Sequence, residues 1–571
     1  MDDVRWVDSG GVRLAVREEG VPGAPTIVLV HGYPDNSSVW DGVARRLAER
    51  FRVVRFDLRG HGESDAPSGR SGYRIACLVE DLVAVVRATS SGPVHLVAHD
   101  WGSMAAWHAV GDPRYANLFA SFTTISGPSL AHCAAWARTG LRRPGKLAAV
   151  LRQLSHSWYM AAFQVPVVPE LVWRLRPLRS RFSASYRDAR NGIQLYRANL
   201  GGTAEKVVPP SVAVPVQQMA LTQDRYCTLP LLAAAEPWCD RLWRRELAAG
   251  HWAARTHPDA VARFISDFVD HIDGTPPSRE LARSVVGPGR GPLDGRLAVI
   301  TGAGSGIGRA TALALAEQGA DVLCLDIDAD SARDTAADVA THGSAGLAYR
   351  LDVSDGAATE TLAKQVMSEH GVPDIVMANA GIGVSGTFLE TTEEDWRRII
   401  GVNLWGVVHT LRAFLPAMVE RGEGGHAVIT ASMAGFFATP NLPAYSTTKA
   451  GVLMLAECLS GELRPAGIGV SAICPGVVHT NITSTTRFAG ATPEQERSRQ
   501  TRATAAYRRR GYPPERVARA VVKAVRSGRV VVPVTPEARL ASVAVRVAPS
   551  LVRAIGRALD EQARKVATRG E

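Results

Sequence analysis

Short runs of β-branched and aliphatic residues recur along the chain, each closed by glycine, proline or a polar cluster and followed by a segment of helical periodicity. In the first half these runs are PTIVLVHG (25–32), RVVRFDL (52–58) and PVHLVAHD (93–100); between them VWDGVARRLAERF (39–51) spaces its apolar residues three and four apart. Unbroken apolar strands that alternate with helices predict a parallel sheet covered on both faces, so the fold class is α/β. From about Ala131 to Pro210 the strand runs stop, and a helical pattern rich in Trp, Tyr and Arg predicts a helical insertion. Residues 273–294 have the proline, glycine and charge content of a linker. Alternation then restarts in RLAVITG (296–302), DVLCLDI (321–327), AYRLDV (348–353), DIVMANAG (374–381), HAVITAS (426–432) and GVSAICPG (469–476). The expected plan is one α/β domain over 1–272, a linker, a second over 295–538, and a basic helical tail over 539–571.

Composition fits this plan. A chain of 571 residues exceeds one hydrophobic core, and 46% hydrophobic with 21% charged residues is ordinary for a globular protein. No run of 18 apolar residues reads as a membrane span. The start, MDDVRWVDSGG, lacks the basic and apolar regions of a signal peptide. Seven scattered cysteines without a CxxC pair argue against a disulfide framework or zinc site, and for the reducing cytoplasm. The net charge of +10 reads as arginine spread through the chain, without the aromatic-interleaved patch of a nucleic-acid binder. The one concentration noted, Arg539 to Arg569, reads as a solvated helix face, with peripheral membrane contact as the second reading.

The chemistry of the first half begins at Ala98-His99-Asp100-Trp101-Gly102. Small residues two before and two after Asp100 allow the crowded strand-to-helix turn that exposes a nucleophile. Asp100 as a simple helix N-cap is the alternative. HGYPDN (31–36) follows a strand and puts the Tyr33 amide where, with that of Trp101, it forms an oxyanion hole. Asp224 follows the strand-like VPVQQMAL, and His251 precedes an amphipathic C-terminal helix; the order nucleophile, acid, histidine is that of the α/β-hydrolase fold. With HGYP, DLRGHGESD (57–65), HDWGS and GHW, residues 4–270 resemble the epoxide hydrolases of that fold. The resemblance makes the insertion a lid and Tyr159 and Tyr196 its proton donors. An aspartate suits epoxide attack, because a carboxylate leaves a hydrolysable ester where serine would leave an ether. Dehalogenases of this fold also use aspartate, but this chain has Tyr33 and Trp101 where they carry Asn or Arg. An esterase, a dehalogenase or a non-catalytic scaffold remains the alternative. No cofactor or metal is expected in this half.

In the second half, LAVITGAGSGIG runs from a strand through a glycine-rich turn into a helix. Gly302, Gly306 and Gly308, with Ser305 and Ile307 between them, let the backbone approach a pyrophosphate at a helix N-terminus. Asp326 closes the next strand, where a carboxylate accepts ribose hydroxyls and repels a 2′-phosphate, which favours NAD over NADP. Tyr445 and Lys449 share one helix face; the lysine ammonium together with the nicotinamide charge lowers the tyrosine pKa for acid/base work, and Ser432 hydrogen-bonds the substrate oxygen. With LDV (351–353), NAG (379–381), VNLWG and CPGVVHT, residues 295–534 resemble the short-chain dehydrogenase/reductases. That resemblance implies a doubly wound Rossmann-type fold and a tetrad of Asn403, Ser432, Tyr445 and Lys449. It also implies adenine between Asp352 and Val353, a cofactor lined by Asn379, Ala380, Pro475 and Gly476, and Thr480 on the nicotinamide amide. Ala378 departs from the family's usual NNAG.

Together the halves resemble the mycobacterial family that fuses an epoxide hydrolase to a short-chain dehydrogenase. The resemblance implies a lipid epoxide or alcohol as substrate, and the dehydrogenase family implies a homo-oligomer. A diol from the first half is a plausible substrate for the second.

Overall fold

The computed structural model describes residues 4–200, 209–287, 291–437, 439–548 and 550. The chain divides into two compact units, Met1–Pro288 and Gly289–Glu571.

The first unit is built on an eight-stranded sheet of β1 (Arg5–Ser9), β2 (Val12–Gly20), β3 (Thr26–Val30), β4 (Arg52–Phe56), β5 (Val94–His99), β6 (Phe119–Ile125), β7 (Val216–Leu221) and β8 (Leu242–Leu247). Their spatial order is β1-β2-β4-β3-β5-β6-β7-β8, with antiparallel pairing only at β1/β2 and β2/β4. Every residue of β3, β5 and β7 is buried, as helices on both faces require. Alternate residues serve opposite cores. Val28, Val30 and Leu96 pack with Leu82, Val86 and Trp107. Ile27, Leu29 and Val97 pack with Trp40, Phe264 and Ile265.

Between β6 and β7 the chain leaves the sheet for six helices: Leu130–Leu141, Pro144–His156, Trp158–Ala162, Val168–Val172, Arg176–Phe182 and Tyr186–Asn199. Ile193, Leu195 and Tyr196 of the last helix pack on Tyr33 and Trp101, and the Asp188 carboxylate accepts from the Gly62 amide at 3.0 Å. These contacts seat the lid over the carboxyl ends of the strands. Residues 201–208, within the insertion expected to run to Pro210, lie outside the described residues.

The linker expected over 273–294 is largely ordered. Helix Arg279–Arg283 is capped by Ser278, Leu281 is fully buried against Trp243 and Phe268, and the Val286 amide donates to the Leu242 carbonyl at 2.7 Å. On the other side Leu293 is buried and its amide donates to the Gln318 carbonyl. The averaged Pro/Gly content of this segment masked a few apolar anchors, and these fasten each end to its own unit.

The second unit contains β9 (Leu297–Thr301), β10 (Asp321–Asp326), β11 (Gly346–Arg350), β12 (Ile375–Ala378), β13 (Val384–Ser385), β14 (Gly425–Thr430), β15 (Ile468–Cys474), β16 (Arg487–Phe488) and β17 (Val531–Pro533). Seven of them form an all-parallel sheet in the order β11-β10-β9-β12-β14-β15-β17, while β13 and β16 pair separately. The order reverses between β9 and β12, which opens a crevice at their carboxyl ends. The stretch Glu393–Arg421 contains no unbroken run of 18 apolar residues, but by length and mean hydropathy it is apolar enough to cross a membrane. Val407, Leu411, Phe414 and Met418 instead bury its apolar face in the core of this unit.

The basic tail expected from residue 539 begins inside a helix of the second unit. Pro536–Val547 is capped by Thr535, and Ala538 is fully buried. Glu537 accepts from the Val477 amide and from Arg510. Residues 549 and 551–571 lie outside the described residues.

Candidate active sites

The first site forms where β5 ends. Asp100 takes φ +49°, a left-handed conformation that strains a non-glycine residue by about 1–3 kcal/mol. The turn is feasible because its neighbours lack side chains: a Cβ on Gly102 would come within 2.3 Å of the His31 carbonyl oxygen, and one on Gly32 within 2.4 Å of the Asp100 Cβ. The Tyr33 amide donates to Asp100 Oδ1 at 2.8 Å, and the Trp101 amide also hydrogen-bonds this carboxylate. The structure thus brings together both amides expected to form the oxyanion hole.

His251 stands between two carboxylates. Its Nδ1 is 3.0 Å from Asp224 Oδ2 and its Nε2 is 3.7 Å from Asp100 Oδ2. Asp224 also accepts from the Ser126 hydroxyl at 2.6 Å and the Tyr226 amide at 2.7 Å. Burial pushes Asp224 up, but His251, Ser126 and the Tyr226 amide outweigh it and hold the carboxyl at about 2. An ionised Asp224 fixes the imidazole proton on Nδ1 and leaves the Nε2 lone pair facing Asp100. Burial lowers the His251 pKa, yet Asp224 and Asp100 leave it above the ordinary histidine value. Asp100 itself is raised, chiefly by burial.

Tyr159 and Tyr196 come from the third and sixth lid helices and meet with ring centroids 5.9 Å apart. Tyr196 also stands edge-on to Trp101 at 5.0 Å. Burial raises both tyrosine pKa values, so both keep a proton to donate. They share a cavity of about 820 Å³ with Tyr33, Asp100, Tyr226 and His251. That volume suits a drug-sized or larger apolar ligand.

The second site lies at the switch point of the parallel sheet. Gly302 and Gly306 have φ +65° and +53°, and a Cβ on Gly308 would lie 2.0 Å from the Gly302 carbonyl oxygen, so the turn closes only around glycines. Ser305 occupies the N-cap position of helix Gly306–Ala316 without a side-chain capping hydrogen bond, and Ile307 is half-buried behind it. Asp326 Oδ2 accepts from the Gly304 amide at 2.8 Å, which aligns the acidic residue with the loop. Thr480 comes to 3.1 Å from the position of a Gly306 Cβ, and Ala380 packs against Gly302. Asn379 spends its side chain on the scaffold, donating to the Thr301 and Gly302 carbonyls and accepting from Thr430. Asp352 is exposed beyond β11, where it accepts from Ser354. Val353, expected to flank adenine, is buried against Gly406, and its carbonyl lies 3.0 Å from His409 Nδ1. The Pro475 carbonyl accepts from the Met433 amide, and the Gly476 amide donates to Thr535.

The four residues expected to react converge beside this crevice. Asn403 sits in a π-helical turn, Gly401–Trp405, a distortion common at functional sites. Its amide group accepts from the Ile382 N–H at 2.9 Å and donates to the Ile382 carbonyl at 3.0 Å. Lys449 donates to the Thr430 carbonyl at 2.8 Å and lies 5.8 Å from the Tyr445 ring centre. A Cβ on Gly381 would lie 3.3 Å from Asn403 Oδ1 and 3.4 Å from Lys449 Nζ. Burial pushes Tyr445 up to about 12, opposed by a hydrogen bond with Ser432. Burial also brings Lys449 down to about 8. The glycine cradle, the loop-aligned Asp326 and the Tyr–Lys pair together fit a nicotinamide dinucleotide.

Over 580 aligned residues the chain is 43% identical to "Probable oxidoreductase EphD" of Mycobacterium tuberculosis (strain ATCC 25618 / H37Rv), covering 97% of this chain and 98% of that protein. The chain belongs to the EphD family. Like an EphD-type fusion it carries two enzyme modules: residues 25–258 match the alpha/beta hydrolase fold and residues 296–489 match the short chain dehydrogenase family. The dehydrogenase half of this EphD relative is also 38% identical over 203 residues to an uncharacterized NAD-dependent oxidoreductase of M. tuberculosis, covering 33% of this chain and 74% of that one. A short-chain dehydrogenase from Burkholderia phymatum in complex with NAD is 32% identical, covers 45% of this chain and 95% of that one, and has a TM-score of 0.42. The chain is therefore a fusion of an α/β-hydrolase-fold module and a short-chain dehydrogenase module, the latter of a family that supports a nicotinamide cofactor.

Several site residues escaped the sequence reading. Ser126 (φ +51°) and Tyr226 hold Asp224 and frame His251, and Gly304 is the loop residue that binds Asp326. Tyr226, two residues beyond the acid, carried a signal of spacing; Ser126, on a different strand end, carried none.

Proposed function

We propose that the first unit hydrolyses an epoxide to a vicinal diol and that the second interconverts a secondary alcohol and a ketone with NAD. The observation that carries the first part is an aspartate, not a serine, on the strained turn beneath the buried Tyr196 and the half-buried Tyr159 of the lid. A carboxylate oxygen of Asp100 attacks one ring carbon, the carbon–oxygen bond breaks, and a tyrosine hydroxyl protonates the departing oxygen. The product of this step is an ester on Asp100. His251 Nε2 then takes a proton from water, and the hydroxide adds to the ester carbonyl while the Tyr33 and Trp101 amides hold the oxyanion. Collapse expels the diol and restores the carboxylate, and the proton on His251 returns to the tyrosinate. The aromatic and aliphatic wall of the cavity, with Phe163 and Trp173 opposite the triad, supports an apolar, lipid-like epoxide.

In the second unit a bound nicotinamide ring supplies the carbon that donates or accepts hydride. Tyr445 moves the proton at the substrate oxygen, Ser432 hydrogen-bonds that oxygen, and the Lys449 ammonium stabilises the tyrosinate. Asn403 braces Ile382 beside them. Asp326 supports NAD over NADP, since a carboxylate opposes a 2′-phosphate.

The test is capture of the ester. With His251→Phe, a long-chain epoxide leaves an adduct on Asp100 that mass spectrometry locates; the absence of that adduct, with ester or haloalkane turnover in the wild type, refutes the epoxide reading. The wild type given epoxide and NAD then forms NADH, and Asp100→Ala abolishes this while preserving oxidation of the ready-made diol. NADH formation that ignores Asp100 would separate the two activities.

A further inference from the structure

The lid holds eleven arginines and Lys146 against two acidic residues, so the stretch 130–200 carries a net +10, equal to that of the whole chain. The positive charge is therefore not spread evenly; outside the lid it cancels. Both lid acids are already engaged, Glu170 with Arg197 and Asp188 with Asn36 and Gly62. Arg142, Arg143, Lys146, Arg152 and Arg176 are exposed and form no ion pair among the described residues. A protein gains nothing internally from leaving so many cations unpaired on one element.

The same helices expose an apolar stripe. Leu147, Leu151, Leu154 and Trp158 recur at intervals of four, three and four, one face of the helix Pro144–His156 continued into the next, and Leu151, Leu154 and Trp158 are 54%, 57% and 70% exposed. Val168, Leu171, Val172 and Leu175 add a second exposed apolar surface on the following helices. Trp158, Val168 and Val172 also line the cavity above Asp100, so the outer patch and the cavity wall are continuous. Leucines flanked by unpaired arginines match a lipid surface: the side chains enter the acyl boundary and the cations meet anionic headgroups. Nucleic acid would engage the charge but offers nothing to exposed leucines.

We infer that the lid is an interfacial docking surface, which seats the mouth of the hydrolase cavity on an anionic lipid bilayer through Leu147, Leu151, Leu154 and Trp158. This goes beyond the proposed hydrolysis and is read without epoxide or NAD, so either can fail while the other stands. It also shifts membrane contact from the terminal basic stretch to the lid.

The full-length protein is floated with vesicles of phosphatidylcholine alone or mixed with phosphatidylglycerol. It should rise with the mixed vesicles and dissociate as salt increases. The combined variant Leu147→Asp, Leu151→Asp, Leu154→Asp should bind at least about tenfold more weakly, as should Arg142→Glu, Arg143→Glu, Lys146→Glu. None of these six residues lines the cavity, so the circular-dichroism spectrum and the thermal unfolding curve of each variant should match those of the wild type and report that the lid is folded. Failure of the wild type to float with anionic vesicles overturns the proposal. So does flotation that survives both lid variants yet is lost with Arg564→Glu, Lys565→Glu. If light scattering shows instead that the leucine variant splits an oligomer while vesicle binding persists, the stripe is a subunit contact and the lipid assignment falls.

Discussion

Asp100, His251 and Asp224 illustrate how one buried cluster gives two carboxylates different tasks. Asp224 accepts from the Ser126 hydroxyl, the Tyr226 and Cys227 amides and the His251 imidazole and is held at about 2, so it stays ionised and orients the imidazole. Asp100 has two amides and a longer approach to the same imidazole, and burial leaves it raised. His251 is raised above the ordinary 6.5. Only neutral His251 can take a proton from water, so ester breakdown should fall as pH drops through the His251 midpoint, which lies lower in the ester than in the free enzyme because esterified Asp100 no longer carries the charge that helps to raise it; single-turnover release of diol against pH measures it. Ester formation needs ionised Asp100 and a protonated lid tyrosine but not neutral His251, and should persist to lower pH. At the other site, Tyr445→Phe removes the group that moves the proton and should lower NAD-linked turnover by about 10²–10⁴-fold, with hydrolysis unchanged in the same preparation.

At the scale of elements, the helix Pro144–His156 both roofs the cavity and grips the acid loop. Gln153 donates to the Tyr226 carbonyl at 2.8 Å and accepts from the Thr228 amide at 3.0 Å and its hydroxyl at 2.7 Å. Three hydrogen bonds, two of them buried, thus tie the lid to the segment that carries Asp224. Gln153→Leu leaves those partners unsatisfied, a cost of about 1–3 kcal/mol. Ester breakdown, which depends on the His251–Asp224 pair, should slow more than ester formation; quenched-flow kinetics with adduct quantification separates the two steps. In the other unit, the π-helical turn at Asn403 exists because Asn403 serves the Ile382 backbone while its flanking helices stay packed, an arrangement that no hydrophobic period encodes.

For the molecule as a whole, each unit has its own sheet and its own cores, and apolar anchors divide the former linker between them. A ligand of one unit should therefore stabilise that unit alone. Calorimetry with NAD at about one hundred times its dissociation constant should raise one unfolding transition by about 2.7 kcal/mol and leave the other in place. A common shift of both would contradict independent folding.

Alternation of apolar runs and helices made the α/β class legible from the sequence, and local backbone geometry made both motifs legible: the Asp100 turn and the glycine loop depend on residues a few positions apart. The order of Asp100, Asp224 and His251 was readable for the same reason, since each ends a strand. What the sequence could not supply was distance across the sheet. The hold of Ser126 on Asp224, the clasp of Gln153 on the acid loop and the burial of Val353 each join residues far apart in the chain. Burial then shifted the pKa values of Asp100, Tyr159 and Lys449, because desolvation is a property of the packed interior and not of the residue. Folding also turned a count of arginines into a charged, leucine-striped face beside an apolar cavity, which is where the lid's chemistry differs from its composition.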